Sequence, residues 1–374
     1  METIPDMERL GGLKMGDVRI GVIGAGSWAV SNHIPVLADR DDVDLIVACR
    51  KGEEPLAFLK DQFGFEHTTE DYLEALEHDL DAVVVASPSG FHFEHAKAAL
   101  ESGANVLCEK PVTIDPKEAW ELDRLARELG RHLVISFGWN YRPIGIEAKR
   151  LMDQHGVGQV QHVMVAMASG TRDLLTATGS YEGAAADFAP DWDTWTDPKL
   201  SGGGYAPAQL SHAMGLALWL TNDRADQVFS FMNNEAARVD LHDAISIRYQ
   251  SGATGTLSGA SCFQAANAVD LEGEEWPRHQ LQVRIFGDEG QLTADLERDF
   301  LWLYREDGLD EKVDLPDHAG LYRCDGPPTT LVDLTQGLEV PNRSPGDLGA
   351  RTVEVIAAAY ESASAGGPVS ASVT

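Results

Sequence analysis

Two short segments carry the residue types and spacing that nucleotide-dependent chemistry requires. The first is the GxGxxA pattern at residues 24–29, which follows an apolar run and precedes a helical pattern. Glycines in this context allow a tight turn and a close approach of the backbone to a pyrophosphate. The pattern predicts a dinucleotide site, although a merely tight strand–helix turn would also use these glycines. The residues assigned to the site are Gly24, Gly26, Ser27 and Trp28.

The second segment is Glu109-Lys110-Pro111, which ends a later apolar run. A doubly wound sheet binds its ligands at the carboxyl ends of its strands. An ammonium buried there beside an oxidised nicotinamide would have its pKa lowered from about 10.4, because desolvation and like charge both disfavour the cation. Such a lysine can shuttle protons. The residues alone also permit a surface lysine after an ordinary strand, since most lysines are exposed.

The end of the second predicted strand bears on the choice of dinucleotide. Sites for NAD usually place Asp or Glu about 20 residues past the glycines, where the carboxylate binds the ribose 2′-hydroxyl. Here the sequence reads Cys49-Arg50-Lys51. Two cations suit a 2′-phosphate, and the arginine can also stack on adenine. We predict that NADP is favoured over NAD, although Glu53 and Glu54 lie close by and Arg50 and Lys51 also fit a solvated loop.

An alternation of strand and helix patterns positions these segments. Short β-branched runs alternate with helical patterns from residue 17 to about residue 140. This order requires right-handed crossovers and a parallel sheet with helices on both faces. We predict an α/β fold whose N-terminal part is a doubly wound, Rossmann-type dinucleotide-binding domain over residues 17–140. A flexible arm over residues 1–16 is expected to precede it.

The rest of the chain, residues 141–374, has a different pattern. Strand-like runs follow one another with few helices between them, and an amphipathic helical pattern lies near the end. This predicts a substrate-binding α/β domain with a large, open, mostly antiparallel sheet and a C-terminal helix. An open sheet with one uncovered face often packs on a second copy of itself. We therefore predict a homodimer or homotetramer formed through this sheet.

The composition limits the classes of partner. The chain has 374 residues, with 29 Lys and Arg against 60 Asp and Glu, and a formal net charge of −31. This excess of carboxylates repels phosphate backbones and anionic membranes, so neither a nucleic-acid nor a membrane partner is expected. It also fits adaptation to a salt-rich habitat. Without an apolar run of membrane-spanning length, a signal-peptide pattern or a metal-ligand spacing, we predict a cytoplasmic protein with no metal.

The sequence resembles the Gfo/Idh/MocA oxidoreductase family from residue 18 to about residue 364. The resemblance rests on VRIGVIGAGSW, on DAVVVASPSGFHFEHAKAALESGANVLCEKP, on SGGG before His212 and on AAAYESASAGGPV. In that family a nicotinamide-binding Rossmann domain precedes an α/β domain with an open sheet, and the substrates are mostly sugars, polyols or inositols. The lysine of EKP is the family's acid/base, so the resemblance implies that Lys110 is catalytic and contacts both cofactor and substrate.

A second family motif runs from glycines through an aspartate to a histidine four residues later. Here the glycines are residues 202–204 and the histidine is His212, but the aspartate position holds Ala208. Losing this carboxylate removes a substrate hydrogen bond and a group that orients the histidine. Either Lys110 and His212 suffice, or Gln209 takes part of the role, or activity has been lost. A purely structural helix histidine is the alternative for His212.

The resemblance also implies further contacts with the cofactor and the substrate. The residues implied for the nicotinamide ribose are Ser87, Pro88, His92 and Glu109. Asn140 and Arg142, at the crossing between domains, are implied to meet cofactor or substrate. Trp192 and Trp195 would give an apolar floor for a sugar ring, or else form the core of a lid.

These residues together predict hydride transfer between NADP or NAD and a carbohydrate or polyol. Lys110, assisted by His212, would move the hydroxyl proton of the substrate. Two alternatives stay open. One is a redox-neutral glycosidase or eliminase that retains its cofactor and oxidises the sugar transiently. The other is a non-catalytic dinucleotide-binding regulator, which Ala208 would permit but which needs no buried ammonium.

Overall fold

The computed structural model describes residues 17–180, 188, 190–262 and 280–372. The arm predicted over residues 1–16 lies outside these residues.

Six parallel strands form the N-terminal sheet. They are β1 (Val18–Ile23), β2 (Val43–Cys49), β3 (His67–Thr69), β4 (Ala82–Val85), β5 (Asn105–Cys108) and β6 (Leu133–Ile135). Their order in the sheet is β3-β2-β1-β4-β5-β6. Residues of β4, β5 and β6 are buried throughout, as expected for strands covered on both faces. The order reverses between β1 and β4, and such a switch point opens a crevice for a ligand.

Helices connect these strands and cover the sheet. They are α1 (Ser27–Ser31), α2 (His33–Ala38), α3 (Glu53–Phe63), α4 (Tyr72–Ala75), α5 (His92–Glu101) and α6 (Pro116–Glu128). Helix α6 begins with an N-cap, because the Asp115 side chain accepts from Lys117 N at 2.8 Å and Pro116 occupies the first turn. A further helix, α7 (Pro143–Gln154), leads out of this layer.

The second sheet has nine strands. They are β7 (Val160–Ser169), β8 (Ala225–Asn233), β9 (His242–Tyr249), β10 (Thr254–Ser261), β11 (Gln280–Gly287), β12 (Gly290–Asp295), β13 (Phe300–Arg305), β14 (Glu311–Lys312) and β15 (Val369–Ser370). Their order is β14-β13-β12-β11-β7-β10-β9-β8-β15. The predicted mostly antiparallel sheet is confirmed, but β7 and β10 pair in parallel. A parallel pair needs a long crossover, and the residues between these two strands provide one.

The second sheet is covered on one face. Residues of β9 and β10 alternate between buried and exposed, which is typical of a sheet packed on one side. The covering helices include α7, α11 (Ser211–Thr221) and α13 (Gly346–Ala365). Short helices α8 (Arg172–Leu175), α9 (Asp193–Thr196) and α10 (Pro198–Ser201) precede α11. Over the described ranges, no helix combines the length and hydropathy needed to cross a bilayer.

Helices from the C-terminal half return to the N-terminal layer, where α13 packs on α6 and β6 and a further helix lies against the sheet. This helix, α12 (Gly326–Thr335), packs against β4, β5 and β6. Its Leu331 and Val332 are fully buried in the same apolar cluster as residues of β1. The sequence pattern did not predict α12, because Pro327 and Pro328 resemble a helix break. Both prolines lie in the first turn, where a helix does not need their missing N–H groups.

Candidate active site

A cavity of about 830 Å³ lies between the N-terminal sheet and residues 190–208 of the second half. Turns at the carboxyl ends of β1, β2, β4 and β5 form one wall, as expected for a doubly wound sheet. The predicted residues that the structure brings together here are Gly24, Gly26, Ser27, Trp28, Arg50, Lys51, Ser87, Pro88, His92, Glu109, Lys110 and Trp195.

The turn after β1 has the shape that a pyrophosphate requires. Gly24 has φ of 83°, and a Cβ there would lie 2.2 Å from Ser87 N, so only glycine fits. A Cβ on Gly26 would meet no atom nearer than 3.9 Å, so any side chain there would take up space beside the cavity. The two glycines therefore bring bare backbone to the cavity wall, and a dinucleotide phosphate fits this turn.

Lys110 follows β5 and borders the cavity. Its Nζ donates to the Ala208 carbonyl at 2.7 Å and lies 5.8 Å from the centre of the Trp28 ring. Burial lowers the pKa of the ammonium, while the neighbouring Glu109 carboxylate opposes this shift. A desolvated amine with a lowered pKa gives up its proton more readily than a solvated lysine, so this environment suits an acid/base.

Glu109 is the centre of a buried network beside Lys110. Its Oε1 accepts from Trp28 Nε1 at 2.8 Å and lies 2.7 Å from His33 Nε2, while Oε2 accepts from Lys110 N at 3.0 Å. Burial alone raises the pKa of Glu109, but the hydrogen bond and charge of His33 and the charge of Lys110 hold it well below its ordinary value. The carboxylate therefore stays ionised and orders the wall around Lys110.

Sequence reasoning missed His33, which is fully buried at the start of α2. Its contact with Glu109 joins two segments that are distant in the chain. The signal in the sequence is weak: His33 is the single polar residue in HIPVLA, a helix that is otherwise apolar. A histidine fully buried in such a helix needs a polar partner.

His92 ties two loops of the cavity together. Its Nδ1 lies 2.8 Å from the Pro111 carbonyl and its Nε2 lies 2.6 Å from the Ser87 carbonyl. Burial lowers the pKa of this imidazole. Both ring nitrogens therefore bind main-chain carbonyls outside α5. Its place beside Ser87 and Pro88 keeps the predicted ribose contact open as a prediction.

Arg50 lies at the other end of the cavity, after β2. Its Nη1 donates to the Ala25 carbonyl at 3.3 Å, and its guanidinium carbon lies 4.8 Å from the centre of the Phe188 ring. Phe188 in turn packs on Phe58 of α3, with ring centres 5.0 Å apart. Burial lowers the pKa of the guanidinium, which stays charged near neutral pH. Arg50 is thus held at the wall with its charge desolvated.

Lys51 beside it is exposed, with its Nζ 3.7 Å from Glu70 Oε2. Glu70 also accepts from Gly52 N at 2.8 Å and lines the cavity. The acidic side chain at this end therefore comes from the turn after β3, and not from Glu53 or Glu54, which begin α3. Asp71 and Glu74 line the same end, so it contains both cations and three carboxyl groups.

Five predicted residues lie outside the cavity wall that the described residues form: Asn140, Arg142, Trp192, Gln209 and His212. Asn140 Nδ2 donates to the Arg343 carbonyl at 2.9 Å, which ties the crossing to the C-terminal part. Arg142 lies 3.8 Å from Asp325. Trp192 Nε1 donates to the Gly179 carbonyl at 2.9 Å. The roles predicted for these residues stay predictions.

His212 lies in a cluster of aromatic rings. Its ring centre is 5.2 Å from both Trp139 and Tyr322 and 6.2 Å from Phe137, with edge-to-face geometry. Only 3% of His212 is exposed. The predicted partner of Lys110 therefore sits behind the cavity wall, one helical turn beyond Ala208.

The segment around Ala208 departs from regular helix geometry. Residues Ala206–Leu210 form a π-helical turn that leads into α11. Such turns redirect main-chain carbonyls and are frequent at functional sites. Here the Pro207 carbonyl accepts from Ser211 Oγ at 2.7 Å, and the Ala208 carbonyl accepts from Lys110. A main-chain oxygen thus holds the ammonium in a protein that lacks the family aspartate.

Cys324 is a second residue near Lys110 that the sequence did not reveal. Burial and the charge of Glu109 raise the pKa of its thiol to about 12. Tyr322, two residues before it, is buried against Trp139, with ring centres 4.4 Å apart. No spacing in the sequence connects this stretch with Lys110.

In the part of the chain that the structure describes, no group of three or more His, Cys, Asp or Glu could hold a metal ion.

Comparisons with known proteins agree with this architecture. Residues 18–137 match the family model described as oxidoreductase family, NAD-binding Rossmann fold. Residues 146–293 match the model described as GFO/IDH/MocA C-terminal domain.

Curated relatives are matched over part of their length. The D-glucoside 3-dehydrogenase of Escherichia coli K12 is 29% identical over 188 residues, which cover 50% of this chain and 49% of that protein. The D-xylose 1-dehydrogenase (NADP(+)) 2 of Haloferax volcanii is 24% identical over 242 residues, which cover 64% of this chain and 68% of that protein. The chain spans about half the length of the first of these relatives.

Solved structures share the whole fold. The crystal structure of GenD2 from gentamicin A biosynthesis, in complex with NAD, has a TM-score of 0.74 and 24% sequence identity, with 100% of both chains covered. At this level of identity the likeness establishes the fold. Because family models match both the nucleotide-binding sheet and the open sheet, the chain belongs to the Gfo/Idh/MocA family of oxidoreductases.

Proposed function

We propose that this protein is a nicotinamide-dependent oxidoreductase that interconverts a CH–OH group and a carbonyl in a sugar, polyol or inositol-like substrate. The observation that carries the proposal is the half-buried Lys110 ammonium at a cavity whose glycine turn fits a dinucleotide. The names of the relatives support it, since those above are dehydrogenases of a glucoside and of xylose.

A bound nicotinamide would supply the hydride chemistry. Gly24, Gly26, Ser27 and Trp28 would hold its pyrophosphate end, and Ser87, Pro88, His92 and Glu109 its ribose. In the oxidation direction neutral Lys110 accepts the hydroxyl proton, and in the reverse direction the ammonium donates it. The Ala208 carbonyl takes one of its three donor positions, which leaves two for a substrate oxygen. The charge also stabilises a developing alkoxide, by a few kcal/mol in a water-poor site.

The substrate would enter from the side of residues 190–208, where Trp195 borders the cavity. Its ring offers an apolar surface for the CH face of a sugar. The assistance of His212, and the contacts of Gln209, Trp192, Asn140 and Arg142 that the family resemblance implies, are part of the same proposal.

We further propose that NADP is preferred over NAD. Arg50 is held at the wall by Ala25 and Phe188 with its charge desolvated, and Lys51 follows it, so both cations are available to a 2′-phosphate. The Haloferax volcanii relative is named as an NADP(+)-dependent D-xylose dehydrogenase, which supports this preference. Glu70 opposes this preference, because its carboxylate could accept from an unphosphorylated ribose.

We also propose that the protein assembles as a homodimer or homotetramer through the open face of the second sheet. Phe231 of β8 is 70% exposed and Met164 of β7 is 43% exposed on this face. Large apolar side chains on an uncovered sheet favour burial against a second copy.

The test is reduction of NADP+ and NAD+ with a panel of sugars and polyols, in dilute buffer and in molar salt. Lys110→Ala is compared with Lys117→Ala, which removes an exposed lysine at the start of α6. We expect net cofactor reduction that Lys110→Ala abolishes and Lys117→Ala retains. Tight cofactor binding without turnover would favour the regulator. Substrate conversion without net cofactor reduction would favour the redox-neutral enzyme.

A further inference from the structure

A single buried residue of the second sheet holds the start of the segment that carries Ala208. Asp240 lies between β8 and β9, and only 6% of it is exposed. Its Oδ1 accepts from Gly204 N at 2.7 Å and its Oδ2 from Ala206 N at 2.9 Å, while its main-chain carbonyl accepts from Tyr205 N at 3.0 Å. Three consecutive amides are therefore bound by one residue, which acts as an N-cap supplied from another part of the fold.

Tyr360 of α13 completes this arrangement. Its hydroxyl donates to Asp240 Oδ1, and Gly204 N lies 3.1 Å from the same hydroxyl. A Cβ on Gly203 would lie 1.8 Å from the Tyr360 oxygen, and a Cβ on Gly204 would lie 2.2 Å from the Asp240 carbonyl. The glycines of this motif are thus required by Asp240 and Tyr360, which pack directly against them.

Asp240 is one member of a buried acid pair. Asp243 of β9 lies beside it and is 4% exposed. Burial, together with the charge of Asp240, raises the pKa of Asp243 to about 9. Asp243 is therefore protonated near neutral pH, and Asp240 is the acceptor for the amides of residues 204 and 206. A negative charge at the start of a helix is favourable, since the amides there point toward it.

We propose that Asp240 is a positioning residue for Lys110: with Tyr360 it fixes residues 204–208 so that the Ala208 carbonyl stays against the Lys110 ammonium. The carbonyl thereby takes the place of the aspartate side chain that this protein lacks. This inference rests on the proposed role of Lys110 as acid/base. Through Asp240, the loop between β8 and β9 would influence the proton transfer at Lys110 without lining the cavity.

The inference has a measurable effect on the titration of Lys110. The ionisable groups near this ammonium are Glu109, His92 and Cys324, and those around Asp240 are Asp243 and Tyr360. We call the hydrogen bonds of Asp240 and Tyr360 to residues 204–206 the brace. If the brace is removed, the Ala208 carbonyl is free to move and the Lys110 ammonium loses its acceptor. Because a hydrogen bond to a charged group stabilises the charged form, the pKa of Lys110 should fall, by about one pH unit.

The experiment uses the full chain and two variants, Tyr360→Phe and Asp240→Asn. Tyr360→Phe keeps the ring and removes only the hydroxyl, so it tests the brace even if Asp240→Asn does not fold. The control is Tyr304→Phe, which removes an exposed hydroxyl of β13. Competitive acetylation of Lys110 over a range of pH, read by peptide mass spectrometry, gives its titration without any need for turnover.

We expect a lower midpoint for Lys110 in Tyr360→Phe and a wild-type midpoint in Tyr304→Phe. The low-pH limb of the oxidation rate should move to lower pH by the same amount. An unchanged Lys110 midpoint in folded Tyr360→Phe would overturn the inference. A shifted Lys110 midpoint in a protein that turns over no sugar or polyol would support the positioning role of Asp240 and refute only the proposed function. Failure of the inference and failure of the proposed function are therefore distinguishable.

Discussion

Glu109→Gln replaces one oxygen of the buried carboxylate beside Lys110 by an amide nitrogen. The Oε1 of glutamine can still accept from Trp28 and His33, as the carboxylate does at 2.8 and 2.7 Å. Its Nε2, however, takes the position of Oε2, which now accepts from Lys110 N at 3.0 Å. The amide nitrogen of the glutamine and the main-chain N–H of Lys110 then face each other as two donors. If the amide turns over, its nitrogen faces the donors of Trp28 and His33 instead.

The magnitude follows from the burial of this group. Glu109 is 6% exposed, so water cannot replace the lost acceptor. A buried amide without a partner costs about 1–3 kcal/mol, and breaking a buried charge pair about 3–5 kcal/mol. Because glutamine keeps part of the network, we expect the free energy of unfolding to fall by about 2–4 kcal/mol. Loss of the adjacent negative charge should also lower the pKa of Lys110 further.

Urea unfolding at several pH values tests this expectation, with Glu101→Gln on the exposed end of α5 as the control. The pKa of folded Glu109 lies below that of the unfolded chain, so its stabilisation is present above about pH 4.3 and is lost as pH falls. The difference between wild type and Glu109→Gln should therefore shrink in acid. A Glu109→Gln variant as stable as Glu101→Gln at pH 7 would refute the reasoning.

Three further predictions concern other parts of the molecule. Arg50→Ala should weaken NADP+ binding by about 10- to 100-fold, because charge-assisted hydrogen bonds to the 2′-phosphate are lost, and should change NAD+ binding little. Calorimetry that shows equal losses of affinity for the two cofactors would contradict this prediction. Because folding raises the pKa of Asp243 to about 9, the native state holds an extra proton and wild-type stability should fall as pH rises from about 4 to about 9. Asp243→Asn should flatten this slope in urea unfolding, and a slope as steep as that of wild type would count against the buried neutral acid. Gly203→Ala should lower the melting temperature far more than Gly252→Ala, because both glycines have positive φ but only Gly203 packs on Tyr360. Equal decreases in melting temperature would mean that the destabilisation comes from backbone strain alone.

Local patterns predicted most of the fold because its N-terminal sheet is built from consecutive strand–helix units. The pairing of β7 with β10 was not predictable, since strands far apart in sequence meet there and local hydropathy does not encode their direction. Helix α12 was missed for a different reason. Its two prolines disrupt the helical pattern, and only the packing of Leu331 and Val332 on the first sheet explains why it forms there.

In the candidate site, too, some residues are predicted by local motifs and others become visible only through long-range contacts. Gly24 and Lys110 were predicted because a motif places each at the end of a strand. His33 and Asp240 were not, because each acts through a contact with a segment that is remote in the sequence. Trp195 borders the cavity while Trp192, three residues before it, binds the Gly179 carbonyl, and this difference arises from a short helix that composition does not predict.

The return of α12 to the first sheet makes residues 143–324, which carry β7 to β14, an insertion between two segments that pack on that sheet, while α13 and β15 follow α12. The inserted part leaves next to Arg142 and re-enters next to Asp325, and these two side chains lie 3.8 Å apart. A fragment that ends at residue 140 would leave β4, β5 and β6 without the apolar cover of α12. Although both junctions lie together in space, an exchange of the second sheet between family members must therefore also carry α13 and β15, which pack on and pair with β8.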